Sequence, residues 1–322
     1  MERLSENKIV LVTRETRLEE LKARFNTVSQ ARFYVEQLGG NFSDYENEDA
    51  AYQSAVGQAQ ENISQLGRLQ VVHRKFLPNF MFGREDIVVV VGQDGLVANT
   101  LKYLDGQALI GVNPEPKRYD GLLLPFAVGD LAKIVPELLR AQRPLKSVTM
   151  AKASLNNGQT IYAVNDLFIG PKSHGSARYT IKLGEQQERH SSSGVIVSTG
   201  LGSTGLGSTG WFTSLITGAN AVAEAFGSQR GARKTPPVLA TPRFEWDAQQ
   251  LFFTVREPFP SMTSAASMVF GRITQNQSLL IESLMPERGV IFSDGIEADF
   301  LEFNSGTKAE IKIADKTGHL VI

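Results

Sequence analysis

Residues 87–91 read IVVVV, five apolar residues in a row between the polar stretches Arg84-Glu85-Asp86 and Gln93-Asp94. An amphipathic strand alternates because it hides one face. A run that is apolar at every position has to be hidden on both. The rest of the first 140 residues supplies the layers this requires. Lys8–Thr13 (KIVLVT), Leu69–His73 and Ala108–Asn113 (ALIGVN) read as further strands. Leu18, Leu21, Phe25, Val28, Val35 and Leu38 recur at three, four or seven residues, one face of a helix that Gly39-Gly40 ends. A polar helical stretch follows to about Gln65, and Leu96–Leu104 repeats the helical pattern. Strands alternating with helices predict a Rossmann-like parallel sheet covered on both faces.

After Arg143-Pro144 the texture changes. Ser147–Ala153, Thr160–Phe168, Ala177–Leu183, Gly194–Ser198, Leu251–Arg256, Leu279–Ser283, Val290–Ser293 and Lys308–Ile313 read as short strands. Asn156-Asn157-Gly158 is hairpin chemistry, since Asn and Gly tolerate positive φ. The expected organisation is α/β over residues 1–143, then a β-rich, sandwich-like domain over 144–322. The last residues are allowed to pack back on the first domain.

Composition narrows the function. The chain has 322 residues and a net charge of −1, so no global field favours nucleic acid or an anionic membrane. It has no cysteine, which removes disulfides, thiolate metal sites and a cysteine nucleophile. The stretch MERLSENKIV reads as neither secretory signal nor transit peptide, and no apolar run is long enough to span a bilayer. The expected setting is cytoplasmic. The four histidines, His73, His174, His190 and His319, show no metal-ligand spacing.

Three polar sites remain. Gly92-Gln93-Asp94-Gly95 follows the IVVVV strand, at the carboxyl end where parallel α/β sheets bind ligands. Its Asp94 is either a turn former or a carboxylate presented to a substrate hydroxyl. Asn165-Asp166 interrupts a strand-like stretch, as a bulge or as a pair facing a polar ligand such as a ribose. Residues 197–214 read VSTGLGSTGLGSTGWFTS, with GLGST twice in succession. Trp211, Leu215, Val222 and Phe226 share one helical face, so the glycines join an apolar strand to a helix that starts near Gly210. Such a turn offers backbone N–H groups at a helix N-terminus, which suits phosphate. The G-x-G-x-x-G pattern here lacks the following strand and acidic residue of a dinucleotide fingerprint. Asp294-Gly295 and Asp299 read as turn and strand-end residues.

Taken in order, these pieces resemble the NAD kinases, in particular the mitochondrial-type branch and its bacterial relatives. The matching segments are GQDG at 92–95, IGVNPEPKRYDG at 110–121, NDLFIG at 165–170, SSGVIVSTGLGSTGLGSTGW at 192–211 and IFSDGIEADFLEFNSGTKAEIKI at 291–313. The resemblance implies an α/β domain followed by a β-rich domain, with the site in the cleft. It implies transfer of the γ-phosphate of ATP to the adenosine 2′-hydroxyl of NAD(H), with Mg²⁺, in a homodimer or larger homo-oligomer.

By the same resemblance Asp94 is the general base, with Gly92, Gln93 and Gly95 beside it. Asn113 lines the α/β side, and Asn165 and Asp166 hold the ribose. Ser198, Thr199, Gly207, Ser208, Thr209, Gly210 and Trp211 form the nucleotide loop, and residues 200–204 are the inserted copy. Two departures stand out. Gln93 replaces the second glycine of the G-G-D-G loop, and Leu96 replaces its threonine. Two other classes stay open: a non-catalytic nucleotide-binding protein on the same fold, and a related small-molecule or lipid kinase.

Overall fold

Buried β-branched strands build the first part of the chain. The computed structural model describes residues 4–118, 120–203, 210–227 and 244–322. It divides into two units, residues 1–146 with 319–322, and residues 147–318.

In unit 1, strands β1 (Lys8–Thr13), β2 (Arg68–His73), β3 (Ile87–Val91) and β4 (Ala108–Val112) run parallel in the order β2-β1-β3-β4. All five residues of β3 are buried, as a strand covered on both faces must be. The chain's last residues extend this sheet, with His319 and Leu320 paired to Ala108 and Leu109. Helices α1 (Arg17–Phe25), α2 (Val28–Gln37) and α3 (Phe42–Leu66) connect β1 to β2. Helix α4 (Asp94–Leu101) connects β3 to β4, and α5 (Leu131–Leu139) packs on α3.

The single helix expected over 18–38 is two. Asn26 adopts the left-handed conformation that stops α1, and the Thr27 hydroxyl caps α2. Hydrophobic spacing carries through the break because both helices bury the same stripe around Leu18, Ala31, Val35 and Phe42.

Unit 2 is two packed sheets. One has the order β12-β11-β10-β7-β14-β15, made from β7 (Asp166–Pro171), β10 (Val195–Ser198), β11 (Gln250–Val255), β12 (Phe270–Thr274), β14 (Gly289–Ser293) and β15 (Ile296–Glu302). Its neighbouring strands are antiparallel throughout. The other holds β5 (Leu145–Leu155), β6 (Thr160–Ala163), β8 (Ala177–Leu183), β9 (Gln186–Ser192), β13 (Leu279–Ser283) and β16 (Lys308–Val321). Alternate residues of both sheets, among them Leu167, Val197, Phe253, Tyr179, Ile281 and Ile311, meet in one apolar core.

The expected strand Thr160–Phe168 is two strands, β6 and β7, parted at Val164-Asn165. Strands β9, β12 and β15 and helix α5 escaped the sequence reading. Gln186–Ser192 (QQERHSS), for one, buries only two of its seven residues and is held by pairing with β8. Among the described residues no helix is long and apolar enough to cross a membrane.

Candidate functional site

In unit 1 the strand order reverses at β1. The chain moves out to β2 on one side and to β3 and β4 on the other, so a crevice forms at the carboxyl ends of β1 and β3. Tyr52 of α3 fixes the spacing of that crevice. Its hydroxyl accepts the N–H of Arg14, just past β1, at 2.8 Å and donates to the carbonyl of Val91, the end of β3, at 3.2 Å. Burial pushes this hydroxyl up to about 12, so it stays a protonated strut. Arg14 and Arg17 converge on the carboxylate of Glu48, whose side chain is 1% exposed.

Gly92, Gln93, Asp94 and Gly95 follow β3 directly. Gln93 precedes α4 and caps it without its side chain, while its carbonyl accepts the N–H of Leu96 and of Val97. The half-buried Asp94 opens the helix. Its Oδ1 accepts the Leu123 N–H at 2.8 Å, and its Oδ2 makes no hydrogen bond among the described residues. Leu96 is turned inward, with Gly92 packed so closely that a Cβ there would lie 2.8 Å from Leu96 Cδ2. The residue in place of the expected threonine is therefore a core contact. Asn113 is buried, and its Oδ1 accepts the Glu115 N–H. The segment after it folds over β4 so tightly that a Cβ on Gly111 would lie 1.9 Å from the Leu123 carbonyl. Only glycine lets that segment reach Asp94.

In unit 2 the break between β6 and β7 is held by a residue far along the chain. The Asp294 carboxylate accepts the N–H of Val164 at 3.1 Å, of Asn165 at 2.6 Å and of Asp166 at 3.3 Å. The Asp294 N–H donates back to the Asp166 carbonyl at 3.0 Å. Asp294 itself adopts φ 55°, the left-handed backbone that Asp tolerates in turns. The other side of the break is held by Thr199. Its N–H donates to the Asn165 carbonyl at 3.0 Å, and its hydroxyl reaches the carbonyls of Val164 and Asn165.

Asn165 is thus fixed through its backbone while its side-chain Oδ1, buried, has no hydrogen-bond partner. An orphaned buried acceptor is costly and can take one further donor. Asp166 lies next to Ser198 in the β7–β10 register, on the sheet face away from the core. The interruption read from the sequence is real: the chain breaks here between β6 and β7.

Asp294 is the turn residue that the sequence indicates, and it also organises Val164-Asn165-Asp166 from 128 to 130 positions away, a bond that no local pattern records. The one available signal was an Asp-Gly directly after a buried strand.

Of the first GLGST copy, expected to be the insertion, residues 200–203 are described, and they pack against this break. Gly200–Ser203 forms a buried helical turn, α6. A Cβ on Gly202 would lie 2.2 Å from the Asn165 carbonyl, and one on Gly200 2.0 Å from the Glu245 carbonyl. Helix α7 (Trp211–Gly227) follows, with Gly210 just ahead of it. Thr213 Oγ1 donates to the Ser203 carbonyl at 2.9 Å. Gly207, Ser208 and Thr209 lie outside the described residues, as does the side chain of Trp211.

The outer face of the six-stranded sheet also carries a cavity of roughly 650 Å³, bordered by Asp166, Phe168, Phe292, Phe300, Lys172 and Arg256. Among the described residues no group of three or more His, Asp or Glu side chains gathers as a metal site.

No protein-family model matches the sequence, and no curated protein matches it. Solved structures share its fold. An NAD kinase from Archaeoglobus fulgidus, solved in complex with ATP, superposes with a TM-score of 0.53 at 12% identity, over 98% of this chain and 93% of that one. A yeast NADH kinase, solved with NADH, superposes with a TM-score of 0.53 at 14% identity, over 98% of this chain and 84% of the other. An α/β unit followed by a β-rich unit, in the fold of the NAD kinases, is the architecture of this chain.

Proposed function

We propose that the chain is an NAD kinase-like phosphotransferase of the mitochondrial-type branch, moving the γ-phosphate of ATP to the adenosine 2′-hydroxyl of NAD(H). The observation that carries this reading is Asn165. A buried, unpartnered Oδ1 beside the Asp166 carboxylate is what two acceptors for ribose hydroxyls require. The fold shared with NAD kinases supports it. In this reading Asp94 Oδ2 takes the hydroxyl proton as the new O–P bond forms and the bond to the β-phosphate oxygen breaks, releasing ADP. Backbone N–H groups at the start of α4 face the phosphates, and the exposed Gln93 offers an amide at the same edge.

A dispersed donor set fits Mg²⁺ carried on ATP. Such an ion takes most of its oxygens from phosphates and water and only one or two from protein. Bound there, it would neutralise phosphate charge.

Incubation of purified protein with ATP, Mg²⁺ and NAD, followed by detection of NADP, tests the proposal. NAD bound without product would point to the non-catalytic alternative. Turnover of another acceptor alone would point to the related kinases.

A further inference from the structure

The strand register lays out the outer face of the six-stranded sheet in rows. One row runs Phe252, Ser198, Asp166. The next, two residues along each strand, runs Thr254, Ile196, Phe168, Phe292, Phe300. Phe168 and Phe292 stack at 4.8 Å between centroids. Beyond them lie Gly170 and Gly194. A Cβ on Gly170 would meet the Phe168 ring at 2.7 Å, and one on Gly194 would meet it at 3.0 Å. The glycines are therefore the room in which the Phe168 ring lies. A cation stands at each end of the phenylalanine part of the row, with Arg256 5.9 Å from the Phe168 centroid and Lys172 4.4 Å from that of Phe300. This row floors the cavity of roughly 650 Å³.

The chemistry of this surface selects its occupant. An acyl chain needs continuous apolar walls, and the carboxylates Asp166, Glu257 and Glu297 interrupt them here. A planar heteroaromatic base stacks on phenylalanine and offers ring-edge donors to carboxylates, while its phosphate suits the cations. Two residues of strand, about 7 Å, separate the Asp166 and Phe168 positions, the span from a ribose to its own base.

We infer that the base of the ribose held by Asn165 and Asp166, the adenine of the acceptor nucleotide, stacks on the Phe168–Phe292 row. This rests on the proposed kinase reading for the identity of that ribose. Phe168 is then a substrate-binding residue that selects for an aromatic base.

The test uses the full chain and two probes, AMP and ribose 5-phosphate, in ligand-detected NMR titrations. Adenine H2 and H8 of AMP are expected to receive saturation from the wild-type protein. Phe168→Ala should weaken AMP about tenfold, within the range for loss of an aromatic stacking partner, and leave ribose 5-phosphate unchanged. Phe168→Leu, which keeps the packing against Phe292, should melt like wild type yet still weaken AMP, separating stacking from folding. Equal AMP affinity in Phe168→Ala, or saturation confined to the ribose protons, overturns the inference, as does an absence of AMP binding to wild type. NADP formation is read separately. NADP formed with AMP binding indifferent to Phe168 sinks only this inference. Phe168-dependent AMP binding without NADP sinks only the kinase reading.

Discussion

The Asp294 carboxylate accepts the backbone N–H of Asn165 at 2.6 Å, and this one contact joins the turn after β14 to the break before β7. Around it the same carboxylate takes two further N–H groups, so three donors that no strand ladder can serve are satisfied by one side chain.

Loss of that carboxylate should therefore be costly. Asp294→Ala is expected to lower stability by about 1–3 kcal/mol, the range for stranding buried polar groups, and to abolish NAD binding. Asp294→Asn keeps one acceptor oxygen and tolerates the positive φ, so it should lose less of both. Denaturant unfolding and NAD titration of the two variants check this order. An alanine variant that binds NAD as wild type does would show that Asp294 does not position Asn165.

Asp94→Asn removes the proton acceptor but keeps an oxygen for the Leu123 N–H. Turnover should fall about 10²–10⁴-fold, with NAD affinity nearly unchanged. Single-turnover kinetics beside equilibrium binding separate the two quantities. Undiminished turnover would remove Asp94 from the role of base.

The duplicated GLGST cannot be dissected by deletion. Removing 200–204 or 205–209 leaves the identical chain, VSTGLGSTGW, because the copies are in tandem. Point substitution can tell them apart. Gly202→Ala drives a Cβ to 2.2 Å from the Asn165 carbonyl. Overpacking of that kind costs about 1–3 kcal/mol and should weaken NAD binding by displacing Asn165. Gly207→Ala serves as the comparison. A larger loss of binding at Gly207 than at Gly202 would return the functional register to the second copy.

The Glu48 cluster predicts an acid limb. Burial alone raises the Glu48 carboxyl, but hydrogen bonds and charge from Arg17 and Arg14 outweigh it and hold the group below its ordinary 4.5. A carboxylate lowered by folding contributes stability that is fully present above about pH 4.5 and is lost as pH falls through the lowered native value. Glu48→Gln should flatten this limb of the stability–pH curve. Glu48→Ala leaves Arg14 buried without its partner and should cost about 3 kcal/mol, toward the low end for broken buried pairs because Arg17 is half in solvent. Urea unfolding from pH 3 to 7 measures both effects.

Much of this protein is set by short-range pattern. IVVVV could only be a strand hidden on both faces. GQDG after it could only sit at the sheet's carboxyl edge, and the short strands beyond residue 144 could hide an apolar face only in a second, β-rich layer pair. These follow from sequence because hydrophobic periodicity is a property of neighbours along the chain. Tertiary structure decided what depends on closure. It broke the 18–38 helix at Asn26, where one left-handed residue outweighs an unbroken apolar stripe. It set Gly202 against Asn165, where only a missing Cβ allows the approach. It turned Leu96 inward and made Asp294 the clamp of the Val164–Asp166 backbone. Hydrogen bonds between segments well over a hundred residues apart leave no trace in local spacing. They exist only once β14 has paired with β7 in the six-stranded sheet and brought the turn and the break to one edge.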